Sequence, residues 1–175
     1  EAMEALGLRP ERLSGVVVAK GPGSFTGLRV GMAMAKGLAL AQRIPLVGIP
    51  TLDVLAYAQG RDRRQLGAVL RAGRGRICVA IYHWRFGGWQ AQGEARLTTW
   101  STLAEEINEP TLLCGEIDQA GADLMARLGD RAVLLPPAWR LRRAGFLAEL
   151  GWQRLQQGQF DDPAALTPIY LKYPV

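Results

Sequence analysis

Histidine, lysine and cysteine are scarce in this 175-residue chain, which holds one histidine, three lysines and two cysteines. A single histidine, His83, excludes the multi-histidine ligand set that hydrolytic zinc commonly takes, and it is the only imidazole available to a Ser-His-Asp triad. Cys78 and Cys114 lie far apart in apolar runs, which fits buried thiols in a reducing compartment and excludes a disulfide framework. The longest apolar stretches are interrupted by Lys36, Arg43 and several glycines, so none suits a bilayer, and no cleavable signal pattern opens the chain. Acidic residues are absent between Arg12 and Asp53. A cytoplasmic globular protein with no membrane contact is the expectation.

What is present points the same way. Hydrophobic residues make up 49% of the chain, enough to offset the entropy of ordering a backbone, which excludes disordered and fibrous classes. The charge is uneven. Residues 1–88 hold 13 basic and 5 acidic side chains (net +8), and residues 89–175 hold 8 and 11 (net −3), giving +5 in all. A basic half suits a polyanion or an acidic partner, with Arg61, Arg63 and Arg64 as candidate contacts, while Arg71, Arg74 and Arg76 alternate with Gly73 and Gly75.

Patterning predicts an α/β chain. The opening residues read as a helix end with Met3 and Leu6 on one side and Gly7 as its stop. Gly15 to Ala19 reads as a buried strand, Ser24 to Gln42 as a helix, Leu46 to Ile49 as a strand, and Thr51 as the N-cap of a further helix, a β-α-β-α series with a parallel sheet. Leu66 to Ala72, Ile77 to Trp84 and Trp89 to Leu97 read as an antiparallel meander. A helix with a Thr102/Glu105 capping box, a strand at Thr111 to Cys114, a helix from Asp118 to Leu128, a strand at Ala132 to Leu135 and a helix from Arg142 to Gln157 follow, then an extended tail. A linker is expected near Gly60 to Gln65.

The strongest local signal is Lys20-Gly21-Pro22-Gly23-Ser24-Phe25-Thr26-Gly27-Leu28-Arg29, a glycine-rich turn between strand and helix. It lacks the Lys-Ser/Thr of a P-loop, and it has threonine where the dinucleotide fingerprint needs its last glycine. Gly21, Gly23, Ser24 and Thr26 remain candidates for an anion turn, since helix N-termini present free N–H groups. The helix that follows is apolar nearly all round. Gly27, Gly31 and Ala35 form one stripe of small residues, and Ala33, Gly37 and Ala41 form another on a different side. An all-round apolar helix is either deep in a core or completed by a partner. Gly27, Leu28, Val30, Gly31, Met34, Ala35 and Leu38 are the candidate partner-facing residues.

The run Gly21 to Arg29, with Ala35-Lys36-Gly37-Leu38-Ala39, Pro45 to Pro50 and the late Pro168-Ile169-Tyr170-Leu171-Lys172, resembles the TsaB (YeaZ) family of tRNA threonylcarbamoyladenosine biosynthesis. The resemblance implies an actin-like (ASKHA, hexokinase-like) fold of two ribonuclease-H-like units: residues 1–62 as the remainder of the first, with its N-terminal strands missing from this chain, and residues 63–175 as the second, its final helix and tail packing back on the first. It further implies a non-catalytic scaffold for threonylcarbamoyl modification of the adenosine beside the anticodon in ANN-decoding tRNAs. The implied partners are the TsaD transferase, which carries the metal, the ATPase TsaE, a second copy when alone, and tRNA through the complex; the basic first half offers Arg61, Arg63 and Arg64 as the tRNA contacts. No cofactor is implied in this subunit, with ATP binding weak or absent. One departure stands out: where the family reads Asp-Ala-Arg-x-x-Glu-Val-Tyr, this chain has Arg71-Ala72-Gly73-Arg74-Gly75-Arg76-Ile77-Cys78.

Two alternatives follow from the superfamily. An actin-like ATP-binding enzyme needs carboxylates for magnesium, and none lies near the glycine turn in the sequence. A glycoprotease-like peptidase needs ligands or a triad, and His83 sits between Tyr82 and Trp84 in a strand with no nucleophile elbow anywhere. Asp161-Asp162 and Glu105-Glu106 read as a solvated loop and a helix face, leaving no catalytic or metal-binding residue to name.

Overall fold

The computed structural model describes residues 2–171, and Lys172, part of the C-terminal signature, lies outside them. A short helix, α1 (Ala2–Ala5), ends in a turn closed by Gly7, whose N–H bonds the Glu4 carbonyl at 3.0 Å. Strand β1 (Val16–Gly21), helix α2 (Phe25–Gln42), strand β2 (Leu46–Pro50) and helix α3 (Thr51–Tyr57) follow in order. β1 and β2 pair in parallel with Val16 beside Leu46, and β1 feeds α2 through a turn that contains a cis Gly21-Pro22 bond. Ser24 caps α2 as expected, its Oγ accepting the Gly27 N–H. At α3 the cap position falls on Pro50. Thr51 is the first helical residue and is buried, because the extended backbone of β2 runs through Pro50 before it turns.

The rest of the chain builds a larger sheet. β3 (Gln65–Gly73) and β4 (Arg76–Arg85) form an antiparallel hairpin, with Leu66 opposite Tyr82 and Leu70 opposite Cys78. The third meander strand is broken in two: β5 (Gly88–Ala91) pairs with the end of β4, and β6 (Arg96–Thr99) pairs with its start. The chain bulges between them at Gly93, whose φ of +84° favours glycine. α4 (Trp100–Glu106) is capped by Thr99, whose Oγ1 accepts the Thr102 N–H at 3.2 Å. The expected Thr102/Glu105 box is therefore displaced by one turn, and Thr102 lies inside the helix. β7 (Thr111–Gly115) runs parallel to β3, α5 (Gln119–Ala126) is capped by Asp118, and β8 (Ala132–Leu134) runs parallel to β7. The last helix, α6 (Ala144–Gln156), starts two residues later than expected, after a 3₁₀ turn at Pro137–Trp139.

Layers follow from period-two burial. On β1 and β2, Val16, Val18 and Leu46 face α2 with Met32, Ala35 and Ala39, while Val17, Val47 and Ile49 face Phe146, Leu147 and Leu150 of α6. On the larger sheet, Leu66, Ala68, Leu70, Cys78 and Tyr82 pack on Leu52 and Leu55 of α3. Val69, Ile77, Val79 and Leu113 of its other face pack on Trp100, Leu103 and Met125 of α4 and α5. The order is helix, sheet, helices, sheet, helices, with α3 shared by both sheets.

Two glycines in helices give opposite expectations. A Cβ on Gly151 of α6 meets the β-branched side chain of Val17 well inside contact distance, 2.8 Å from its Cβ, whereas one on Gly37 of α2 meets nothing within 4 Å. Gly151→Ala should therefore lose about 1–3 kcal/mol by overpacking. Gly37→Ala should gain up to about 1 kcal/mol from helix propensity. Urea denaturation of the two variants checks the pair, and a stabilised Gly151→Ala would contradict the packing described.

Candidate functional site

The glycine turn joins β1 to α2 and faces the larger sheet across a cleft that Gly23 and Arg76 both line. Gly21 has φ +101° and is buried, and a Cβ there would lie 2.9 Å from both the Ile169 carbonyl oxygen and Leu28 Cδ1. The Ile169 N–H donates to the Lys20 carbonyl at 2.6 Å, so the tail grips the turn at the point where only glycine fits. Gly21 thus serves tail packing. Gly23 and Ser24 line a cleft of about 380 Å³ together with Thr51, Arg142, Arg143 and Leu147, at the start of α2 and of α6. Thr26 is exposed and does not line it. Arg142 pairs with Glu116 at 2.5 Å and Arg143 Nη2 donates to the Ala138 carbonyl at 3.2 Å. These arginines read in sequence only as the start of a helix, and no local signal would have placed them opposite Gly23.

Helix α2 sorts its residues by 100° steps. Ala35 is buried against β1 and β2, and Leu28, Gly31 and Leu38 are half-buried, so the Gly27/Gly31/Ala35 stripe winds from the surface into the core. Gly27, Val30 (53% exposed) and Met34 (71%) face outward. The stripe that looks outward is the second one, Ala33, Gly37 and Ala41, flanked by Val30, Met34 and Leu40 (65%). Ala35 leaves the candidate partner set for that reason. Arg61 and Arg63 are exposed, but Arg64 is committed to Asp62 through two hydrogen bonds of 2.9 and 2.8 Å, which hold the Asp62 carboxyl down at about 2.

A buried polar pair lies between α3 and the larger sheet. The Tyr82 hydroxyl donates to Asp53 Oδ1 at 2.7 Å beside a cavity of about 490 Å³ that the Ile169–Leu171 tail also lines. Burial pushes the Asp53 carboxyl up, with the Tyr82 hydrogen bond and the Lys20 charge opposing in part. Burial and the Asp53 charge likewise raise the Tyr82 phenol. Residues 29 apart in sequence gave no sign of this pairing. Burial raises both thiols, Cys78 and Cys114, to about 12, which suits packing and not nucleophilic attack. Among the described residues no group of three His, Cys, Asp or Glu side chains is placed to hold a metal, and no helix is long and apolar enough to cross a membrane. Asp161 is not a solvated loop acid: its Oδ2 accepts the Gly48 N–H at 2.8 Å and pairs with Arg154 at 3.4 Å.

Two sheets sharing a central helix layer, with a glycine turn at the crevice between them, define an α/β protein of the actin-like, ribonuclease-H-like class. A solved structure of YeaZ from Pseudomonas aeruginosa has this fold, with a TM-score of 0.73 at 22% identity over 95% of this chain and 78% of that one. The family model for TsaD, tRNA N6-adenosine threonylcarbamoyltransferase, matches residues 1–103. The transferase of Nitratidesulfovibrio vulgaris (strain DP4) is 51% identical over 57 residues, 33% of this chain and 16% of that protein. A likeness that runs nearly end to end is to the tRNA threonylcarbamoyladenosine biosynthesis protein TsaB of Bacillus subtilis (strain 168), 31% identical over 170 residues, 94% of this chain and 72% of that protein. The chain belongs to the TsaB (YeaZ) family, which works in tRNA threonylcarbamoyladenosine biosynthesis and is glycoprotease-related in fold.

The Asp53 environment sets a pH dependence. A carboxyl whose folded pKa stands above its ordinary value, near 3.8, adds most to stability below that value, and the contribution is lost as pH rises through the folded pKa. Asp53→Asn keeps an acceptor for Tyr82 and removes the buried charge. Its urea midpoint should therefore gain on the parent's as pH rises from about 3.8, and a difference that stays constant with pH would contradict the assignment.

Proposed function

We propose that this chain is a non-catalytic scaffold that binds and activates the TsaD transferase for threonylcarbamoyl modification of the adenosine beside the anticodon in ANN-decoding tRNAs. The observation behind it is the outer face of α2, where Val30, Ala33, Met34, Gly37, Leu40 and Ala41 form an exposed apolar stripe with small residues along its centre. The only charges on α2, Arg29 and Lys36, lie to one side of that stripe by helical spacing. An exposed apolar stripe of this kind marks an association surface, and small side chains let a second helix approach closely. The same face on a second copy would make a homodimer when the transferase is absent, with TsaE joining the assembled pair. Gly27, Gly31 and Leu38 lie at the flank of this contact, whereas Leu28 sits on the inward side with Met32, Ala35 and Ala39, packed on the Gly21 turn, and leaves the partner set with Ala35. Catalytic and metal chemistry belong to the transferase in this reading, and this subunit needs no cofactor of its own.

An ATP-binding reading has one observation in its favour, the Gly23-Ser24 cleft with Arg142 and Arg143. Calorimetry with ATP and magnesium on the full-length protein tests it, and tight binding with turnover would favour the enzyme over the scaffold.

The scaffold reading is tested by Gly37→Leu. Gly37 is exposed and a Cβ there meets nothing within 4 Å, so the variant should melt no lower than the parent. It should weaken co-purification with the transferase by about tenfold or more, the equivalent of about 1.4 kcal/mol of helix packing. Modified adenosine, measured by mass spectrometry of digested tRNA in a reconstituted assay, should fall with it. Undiminished complex and product would overturn the reading.

A further inference from the structure

The arginines of the β3–β4 hairpin do not stand alone. Arg71 and Arg76 line a cleft of about 370 Å³ whose opposite wall is Pro22, Gly23, Phe25, Ile169 and Tyr170. Phe25 (59% exposed) and Tyr170 (48%) contact each other there, with ring centroids 5.2 Å apart at 37°, and the Arg29 guanidinium lies 5.3 Å from the Phe25 centroid. The β3–β4 turn beside them runs Gly73, Arg74, Gly75 with φ of +71°, +54° and +70°, which curls the hairpin tip and leaves the Arg74 side chain exposed. Arg71 is exposed as well, and its backbone N–H is tied to Glu116 Oε2 at 2.9 Å, fixing the strand at that point.

Cations spaced along a hairpin next to exposed, partly stacked aromatic rings match one ligand chemistry: a phosphodiester chain with at least one base out of its stack. Arginine answers the phosphates and the rings answer a base face, without sequence preference. The charge extends from the cleft wall at Arg76 out to Arg74 at the tip, further than one phosphate requires. We propose that the Arg71/Arg74/Arg76 hairpin and the Phe25/Tyr170 pair form a binding site for single-stranded RNA. This site lies on the turn side of the crevice, apart from the apolar stripe of α2, and its occupation does not require the scaffold reading to hold. It is separate from the Arg61–Arg64 segment, where Arg64 is paired with Asp62.

The test uses the full-length protein without partners and a fluorescein-labelled RNA of about ten nucleotides and mixed sequence, with its duplex and adenosine monophosphate as comparisons, across a salt series. The parent should prefer the single strand to both. Replacing Arg71, Arg74 and Arg76 together by serine should reduce the slope of log K against log salt by about two, at roughly 0.7 for each phosphate left without its cation, and replacing all three by lysine should restore it. Phe25→Leu should weaken binding about tenfold with the slope unchanged, since stacking carries no counterion release. A serine variant with the parent's slope, a duplex bound as tightly as the strand, or adenosine monophosphate competing at equal nucleotide concentration would each overturn the proposal. Gly37→Leu separates the two readings: it should leave RNA binding intact while weakening the transferase complex.

Discussion

The seating of the returning chain on the two-stranded sheet is the contact on which the rest depends. Two strands cannot hold themselves together in water, and here β1 and β2 are covered on one face by α2 and on the other by α6, an element that comes far later in the chain. Gly151 lets α6 lie directly on Val17, Asp161 accepts the Gly48 N–H, Arg154 Nη1 donates to the Gly48 carbonyl at 3.0 Å, and Leu166 packs above Gly48. The tail then closes on the Gly21 turn through Ile169. With the inner side of α2 fixed in this way, its outward side is fixed too, and so is the crevice where Gly23, Arg76 and Tyr170 meet.

Electrostatics and packing divide the molecule into surfaces of different use. The outer side of α2 carries no charge along its centre, as suits a helix that docks on another. At its flank Arg29 sits against Phe25, and across the crevice the β3–β4 hairpin supplies Arg71, Arg74 and Arg76. Asp53, a buried carboxyl with a raised pKa, is spent on Tyr82 between α3 and the larger sheet. The proposed helix-docking face and the proposed RNA site are thus chemically different and lie apart on the protein's surface. The thiols and the acid in its interior are used for packing.

Much of this was legible in the sequence because it is local. Period-two and period-3.6 patterns located the main strands and helices, and the glycine turn with Ser24 as cap follows from residues that are neighbours in the chain. The misplacements have local causes as well: Pro50 took the cap from Thr51, Thr99 took it from Thr102, and the bulge at Gly93 split one strand into two. The direction of the α2 stripes was not legible, since an all-round apolar helix does not reveal which side meets the sheet until Met32, Ala35 and Ala39 are seen against Leu46. Nor were the long-range pairs, Asp53 with Tyr82 and Asp161 with Gly48, or the cleft that Arg76 and Phe25 line from opposite walls, because nothing in residue spacing marks partners that only the fold brings together.

The central claim is that the outward side of α2, and not its inward side, meets the transferase. Two methionines of this helix report on its two sides: Met34 is 71% exposed and Met32 is 4% exposed. The most direct measurement is a methyl spectrum of the protein labelled at methionine, recorded as the transferase is added. The account predicts that the Met34 signal shifts or broadens in step with complex formation while the buried Met32 and Met125 signals hold their positions. A complex that forms with the Met34 signal unmoved would contradict it.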